Sequence, residues 1–182
     1  NNMLALDNMN LGGDGYDFNV DDTELDNITS GSLTMTVLAG GSIYVSGITD
    51  AVGEGAGSIV LSASGAGSKI IFDTASVQVD ALTATASDGI TLGYDIITDV
   101  GNLSLEGDSN NGANGSDNLA IANGLTFTSA GSITLAATTG GLDAAGALTL
   151  NAVSGVTLSD AYSTAGAGNL TVNADTNEDG GT

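Results

Sequence analysis

Ala147-Leu148-Thr149-Leu150-Asn151-Ala152 alternates apolar and polar residues, and the chain repeats this run with small edits from one end to the other. Leu148 and Leu150 fall on one side of an extended strand and Thr149 and Asn151 on the other. That is the two-residue period of a half-buried strand. Its relatives are Gly31-Ser32-Leu33-Thr34-Met35-Thr36-Val37, Gly57-Ser58-Ile59-Val60-Leu61-Ser62-Ala63 and Ala81-Leu82-Thr83-Ala84-Thr85-Ala86. Further copies are Asn102-Leu103-Ser104-Leu105-Glu106, Gly124-Leu125-Thr126-Phe127-Thr128 and Asn169-Leu170-Thr171-Val172-Asn173-Ala174. The leading apolar residues stand at 33, 59, 82, 103, 125, 148 and 170, at intervals of 26, 23, 21, 22, 23 and 22. A period of that size belongs to stacked supersecondary units rather than to one conventional globular core.

Each unit holds more than one strand. Leu125-Thr126-Phe127 is followed by Ser132-Ile133-Thr134-Leu135 and Gly141-Leu142-Asp143; the next unit repeats this as Leu148-Thr149-Leu150, Val156-Thr157-Leu158 and Ala161-Tyr162-Ser163. Between them lie Gly, Ser, Asp and Asn, which form turns. Helical periodicity is not sustained anywhere. The expected fold is all-β, a three-sided parallel β-helix (β-solenoid) with coils of about 22 residues. Seven coils at strand spacing would make a rod of roughly 34 Å. One inward ladder would run Leu33, Ile59, Leu82, Leu103, Leu125, Leu148, Leu170, and its neighbour Met35, Leu61, Ala84, Leu105, Phe127, Leu150, Val172. The solenoid proper spans 31–174. Residues 1–30 read as irregular first coils or an N-terminal cap, and 175–182 as an acidic tail or the start of a calcium loop or linker. Because the chain opens on Asn1, it reads as a processed or excised piece.

Composition narrows the function. Among 182 residues there are 22 acidic and one basic, Lys69, giving a net charge of -21, with no Cys, His, Pro or Trp. Nucleic acid and anionic membrane need Lys and Arg to neutralise phosphate, so neither is an expected partner. No apolar run approaches a transmembrane length, so membrane insertion is not expected either. Such a charge balance favours solubility and cation binding. Without His, Cys or Arg the chain lacks the usual base, nucleophile and anion clamp, so it is not expected to be an enzyme. A carboxylate pair such as Asp21 with Asp22 or Asp26 is the remaining route, since glycosidases need only two acids at the right separation.

Two stretches carry metal-ligand spacing. Asp175-Thr176-Asn177-Glu178-Asp179-Gly180 matches the opening of a calcium loop, with Asp175, Asn177 and Asp179 at positions 1, 3 and 5 and Gly at 6. The Glu expected at position 12 falls beyond Thr182, and a polar tail is the alternative. Gly12-Gly13-Asp14-Gly15-Tyr16-Asp17-Phe18-Asn19-Val20 resembles a single nonapeptide of calcium-binding β-rolls, which makes Asp14 and Asp17 candidate ligands. A plain turn into a Tyr16/Phe18/Val20 strand is the alternative there. Calcium is the one cofactor expectation. The outward column Thr34, Val60, Thr83, Ser104, Thr126, Thr149, Thr171 is a weak match to an ice-binding Thr ladder. The polar segment 106–118 is expected to bulge from the rod as a loop.

Repeats such as Gly131-Ser132-Ile133-Thr134-Leu135 and Gly168-Asn169-Leu170-Thr171-Val172, joined by Ala/Gly/Asp-rich turns, resemble the β-helical stalks of bacterial filamentous-haemagglutinin-like and other giant surface adhesins. The likeness covers roughly residues 31–174. It implies an exported right-handed β-helix serving outside the cell, at its surface, as a rod, stalk or fibre. The N-terminal secretion domain of that family is not recognisable here. Beside this, the last repeat keeps its full pattern to Ala174 while residues 1–30 offer extra apolar strands. Two unlike ends point to head-to-tail or strand-exchange self-assembly, a homopolymer, with the chain itself as the partner. A glycan or host surface bound through 106–118 is the alternative partner.

Overall fold

Along Leu125–Ser129 buried and half-buried residues alternate without a break, because a strand with one covered face turns every second side chain inward. The computed structural model describes residues 8–12, 18–38, 40–49, 56–113 and 116–178. The first elements are β1 (Asn8–Leu11), β2 (Phe18–Val20) and a short helix α1 (Asp22–Asp26). Six coils of three strands follow. They are β3 (Leu33–Val37), β4 (Ser42–Val45), β5 (Ile48–Thr49); β6 (Ile59–Ala63), β7 (Lys69–Phe72), β8 (Val77–Val79); and β9 (Leu82–Ala86), β10 (Ile90–Leu92), β11 (Ile96–Thr98). The other three are β12 (Leu103–Glu106), β13 (Leu119–Ile121), β14 (Leu125–Ser129); β15 (Ile133–Ala136), β16 (Leu142–Ala144), β17 (Leu148–Ala152); and β18 (Val156–Leu158), β19 (Tyr162–Thr164), β20 (Leu170–Asn173).

The first strand of every coil joins sheet I (β3-β6-β9-β12-β15-β18), the second sheet II and the third sheet III (β5-β8-β11-β14-β17-β20). Sheet II carries two extra strands, in the order β2-β1-β4-β7-β10-β13-β16-β19. The pairings between these strands are parallel. The fold is the three-sided β-solenoid expected from the repeat, and the three-strand units beginning at Leu125 and Leu148 stack strand for strand. Among the described residues there are six coils rather than seven, so their stacked length is roughly 29 Å at parallel-strand spacing.

The expected inward ladder needs a correction. Leu103 pairs with Ile133, and Ile133 with Val156, in sheet I. Leu125, Leu148 and Leu170 form a separate column in sheet III. The companion ladder divides in the same way: Leu105 pairs with Leu135, while Phe127, Leu150 and Val172 stack in sheet III. The cause is the fourth coil. Sheet I strands begin at 33, 59, 82, 103, 133 and 156, so the intervals are 26, 23, 21, 30 and 23. The segment after β12 lengthens that coil enough for the third strand of one coil to stand where the first was due. The outward Thr column splits too: Ser104 is followed by Thr134 and Thr157 in sheet I, and Thr126, Thr149 and Thr171 lie in sheet III. The outward column of sheet I accordingly reads Thr34, Val60, Thr83, Ser104, Thr134 and Thr157, with Val60 interrupting its hydroxyls.

Inside, Leu, Ile, Val and Phe from all three sheets make one core. Each full burial of such a side chain contributes on the order of 1.5–3 kcal/mol. Ala84 is fully buried between its register partners Leu61 and Leu105. At the corners, side-chain oxygens of one coil accept backbone N–H groups of the next: Asn102 from Ser132, Asn123 from Ala147 and Asp95 from Thr126, each at 2.8 Å. Asp160 does the same for Ala137 at 2.8 Å, reaching back to the preceding coil. Strand pairing lapses where the chain bends, and an acceptor-only carboxylate or an amide oxygen meets the donor left over.

The ends differ. α1 opens with a capping box: Asp21 accepts the Glu24 N–H at 2.7 Å, and Glu24 accepts the Asp21 N–H at 3.2 Å. Leu25 on α1 is buried in the core. Asp22 ties the helix to β5, accepting from the Thr49 N–H at 3.0 Å and hydroxyl at 2.7 Å. This five-residue helix was not foreseen, because one turn is too short to show a period. At the other end β18, β19 and β20 each pair on one side only among the described residues.

Candidate functional site

The corner between sheets I and II, where the fourth coil lengthens, gathers most of the polar chemistry. Segment 107–118 does not simply bulge away from the rod. The Ser109 N–H donates to the Ala86 carbonyl at 2.9 Å and the Ile90 N–H to the Asn118 carbonyl at 3.0 Å, so both limbs lie along the third coil. Two of its acids are sequestered: Asp108 is 1% exposed and Asp117 4%. Gly140 permits this packing, since a Cβ there would overlap the backbone of Asp117.

Asp108 and Asp117 converge on Thr139 of the fifth coil. One carboxylate oxygen of Asp108, Oδ2, accepts from the Thr139 N–H and from its hydroxyl, both at 2.8 Å. Asp117 Oδ2 is 3.4 Å from the same hydroxyl. The other Asp108 oxygen, Oδ1, is buried without a hydrogen-bond partner. Beside this pair opens a recess of about 480 Å³, lined by Lys69, Asp88, Asp117, Asn118 and Asp143 among others. Lys69, the sole basic residue, is 3.3 Å from Asp88. Asp143 accepts from the Ser163 hydroxyl at 2.5 Å and from the Asn118 amide at 2.9 Å, which links three successive coils. Those two bonds, Ser163 first, hold its carboxyl below the ordinary carboxylate value against a smaller opposing push from burial.

The candidate ligands read from spacing fare differently. Asp14, Asp17 and Asp179 lie outside the described residues. Asp175 and Asn177 sit on a turn after β20 in which the Thr176 N–H donates to the Ala152 carbonyl at 3.0 Å. Asp175 is half-buried and its Oδ1 has no hydrogen-bond partner. Asp21 and Asp22 serve α1, as N-cap and as tether to Thr49, and Asp26 is exposed. Among the described residues no three His, Cys, Asp or Glu side chains converge around one point. Nor is any helix there long and apolar enough to cross a membrane.

Asp108, Asp117, Thr139 and Asp143 escaped the reading of the sequence. Within a Gly/Asn-rich loop no period says which acid turns inward, and nothing local says that Thr139 is the residue they meet. Comparison with protein-family models, with curated proteins and with solved structures gives no match.

Proposed function

We propose that the chain is a structural element, an extracellular β-solenoid that builds a surface stalk, filament or sheath by end-to-end contact between copies. The observation that supports this reading is the last described coil, whose apolar side chains are only partly covered among the described residues. Val156, Leu158, Tyr162 and Leu170 pack on the core yet stay only partly buried, and Val172 is 47% exposed. Their register partners one coil below, Ile133, Leu135, Leu142, Leu148 and Leu150, are fully covered. A further coil laid on this end would bury those faces, at about 25 cal/mol per Å² of apolar surface, and would pair three strand edges.

The opposite end carries α1 across it. A contact between two unlike ends is heterologous and propagates as an open fibre. Stacking of that kind requires α1 to shift from β5 or to seat against the incoming coil. Self-pairing of the final coils and a following coil of a longer chain are the competing occupants. Sedimentation and electron microscopy of the 182-residue chain in physiological salt test the proposal. Fibres that Val172→Asp abolishes are expected. A stable monomer at high concentration overturns assembly between copies.

A second reading, an adhesin segment that binds a glycan or host surface, is favoured by the recess. Ser116, Asp117 and Asn118, at the end of the segment expected to bind, line it together with Asp88 and Asp143. Glycan-array binding that Asn118→Ala and Asp143→Ala remove would support it; an array without signal would discard it.

A further inference from the structure

We propose that β1 is exchanged between two copies of the chain, each lending Asn8–Leu11 to the slot between β2 and β4 of the other. The exchange concerns the α1 end of the rod and does not rest on the end-to-end reading. The order β2-β1-β4 in sheet II departs from the order of the chain. β2 opens 24 residues before β4, within the 20 to 29 that separate neighbouring coils of that sheet, so β2 is the strand that the winding would lay on β4. β1 opens 34 residues before β4 and yet stands between the two. Its Met9 pairs with Phe18 and Ile43, and its Leu11 with Val20 and Val45. Met9 and Leu11 are both buried in the core, so the slot calls for an apolar strand.

The connection decides which copy supplies that strand. β1 and β2 are parallel neighbours joined by residues 12–17 alone. Parallel neighbours ordinarily need a crossover of about a dozen residues or more. Elsewhere in sheet II the shortest connections between neighbours are 73–89 and 145–161. Here the chain leaves β1 beside Val20 and has to be back beside Met9 by Phe18. Gly12 begins that reversal at a φ of 92°, a left-handed conformation that Gly adopts without steric cost. The slot is the same in every copy, so an exchanged strand keeps each of its contacts and only the connection changes course. A short hinge favours exchange, because the reversal is then no longer required. Reciprocal exchange is isologous and closes at two copies.

The chain has no Cys, so introduced thiols report the pairing without background. Asn10 and Tyr44 are register partners. Full-length copies carrying only Asn10→Cys are unfolded and refolded at high concentration with copies carrying only Tyr44→Cys, then oxidised. A disulfide joining one copy of each kind is expected, together with sedimentation as a pair of chains. Thr91→Cys in place of Tyr44→Cys should give no such link, since Thr91 lies two strands further along the sheet. A Gly/Ser insertion between Gly13 and Asp14 should return the pair to single chains, by letting each connection reach its own slot. Single variants that stay apart, while a copy carrying both cysteines links within itself, overturn the proposal. So does a pair that the insertion leaves unchanged. Fibres without the mixed disulfide would support end-to-end contact and overturn exchange.

Discussion

Thr98 and Ser129 are register partners in sheet III whose side chains both turn into the core, and their hydroxyls are 2.9 Å apart. Both are buried, and both reach the Gly101 carbonyl, at 2.8 and 2.9 Å. Ser129 also accepts the Gly131 N–H at 3.1 Å. This node satisfies the backbone where the chain turns from sheet III into sheet I. Ser129→Ala is expected to cost about 1–3 kcal/mol by leaving buried groups unpaired. Chemical denaturation should show Thr98→Val with Ser129→Ala costing less than the sum of the single changes, because the two share partners.

Leu148 is 1% exposed and pairs on both sides, with Leu125 and Leu170. Leu148→Asp would place a charge in the core next to the final coil, with no basic group to pair it. Loss of cooperative unfolding in the fifth and sixth coils is expected, read as fast amide exchange from β15 onward while β6 to β9 stay protected. Uniform exchange across the chain would mean that the coils unfold as one unit.

Asp143 gives a pH dependence with a definite sign. Its folded-state pKa lies below the ordinary value of 3.8, owing first to the Ser163 hydroxyl and then to the Asn118 amide. A depressed carboxylate contributes stability that is fully present above its unfolded value and fades as pH falls through its folded value. Ser163→Ala should therefore lower the melting temperature at neutral pH, and the gap from the parent should narrow below about pH 4. A gap that is constant from pH 7 to pH 3 would assign the effect to packing.

Asp22 holds α1 to β5 through Thr49, and Leu25 plugs the core beneath it. Leu25→Ala is expected to cost about 2–5 kcal/mol. Asp22→Ala should cost less and, under the end-to-end proposal, speed fibre growth by freeing the end that α1 covers. Unchanged growth kinetics would show that α1 does not stand in the way.

Lys69 is the one tryptic position in the chain, and it opens β7, a strand paired on one side with β4 and on the other with β10. The folded protein should resist trypsin, and the denatured chain should give two fragments. Rapid cleavage under native conditions would mean that β7 opens locally. Lys69→Gln should cost only about 0.2–1 kcal/mol, since its ion pair with Asp88 is partly exposed.

What was legible in the sequence was whatever repeats. Alternation in Leu148-Thr149-Leu150 or Ile90-Thr91-Leu92 is enforced locally, since a strand with one buried face cannot be written otherwise, and a period near 22 residues requires the strands to stack. Residues 125–163 accordingly read correctly down to single strands. Which strand stacks on which was less legible. A conserved-looking interval of 22 residues between Leu103 and Leu125 concealed a change of sheet, because sheets I and III use the same Leu-x-Leu or Leu-x-Phe pattern. Nothing in either strand alone names its sheet.

By itself the sequence determined an all-β, acidic, three-sided solenoid, through alternation, Gly/Asn/Asp turns and the near absence of cations. Only the tertiary structure decided that Leu103 meets Ile133, that α1 closes one end, and that Asp108 and Asp117 turn inward to Thr139. Those are contacts between residues 22 to 31 positions apart. Register and burial at such separations depend on how much chain each corner consumes. The fourth coil consumes more than the others, and that surplus is what brings two carboxylates to one threonine.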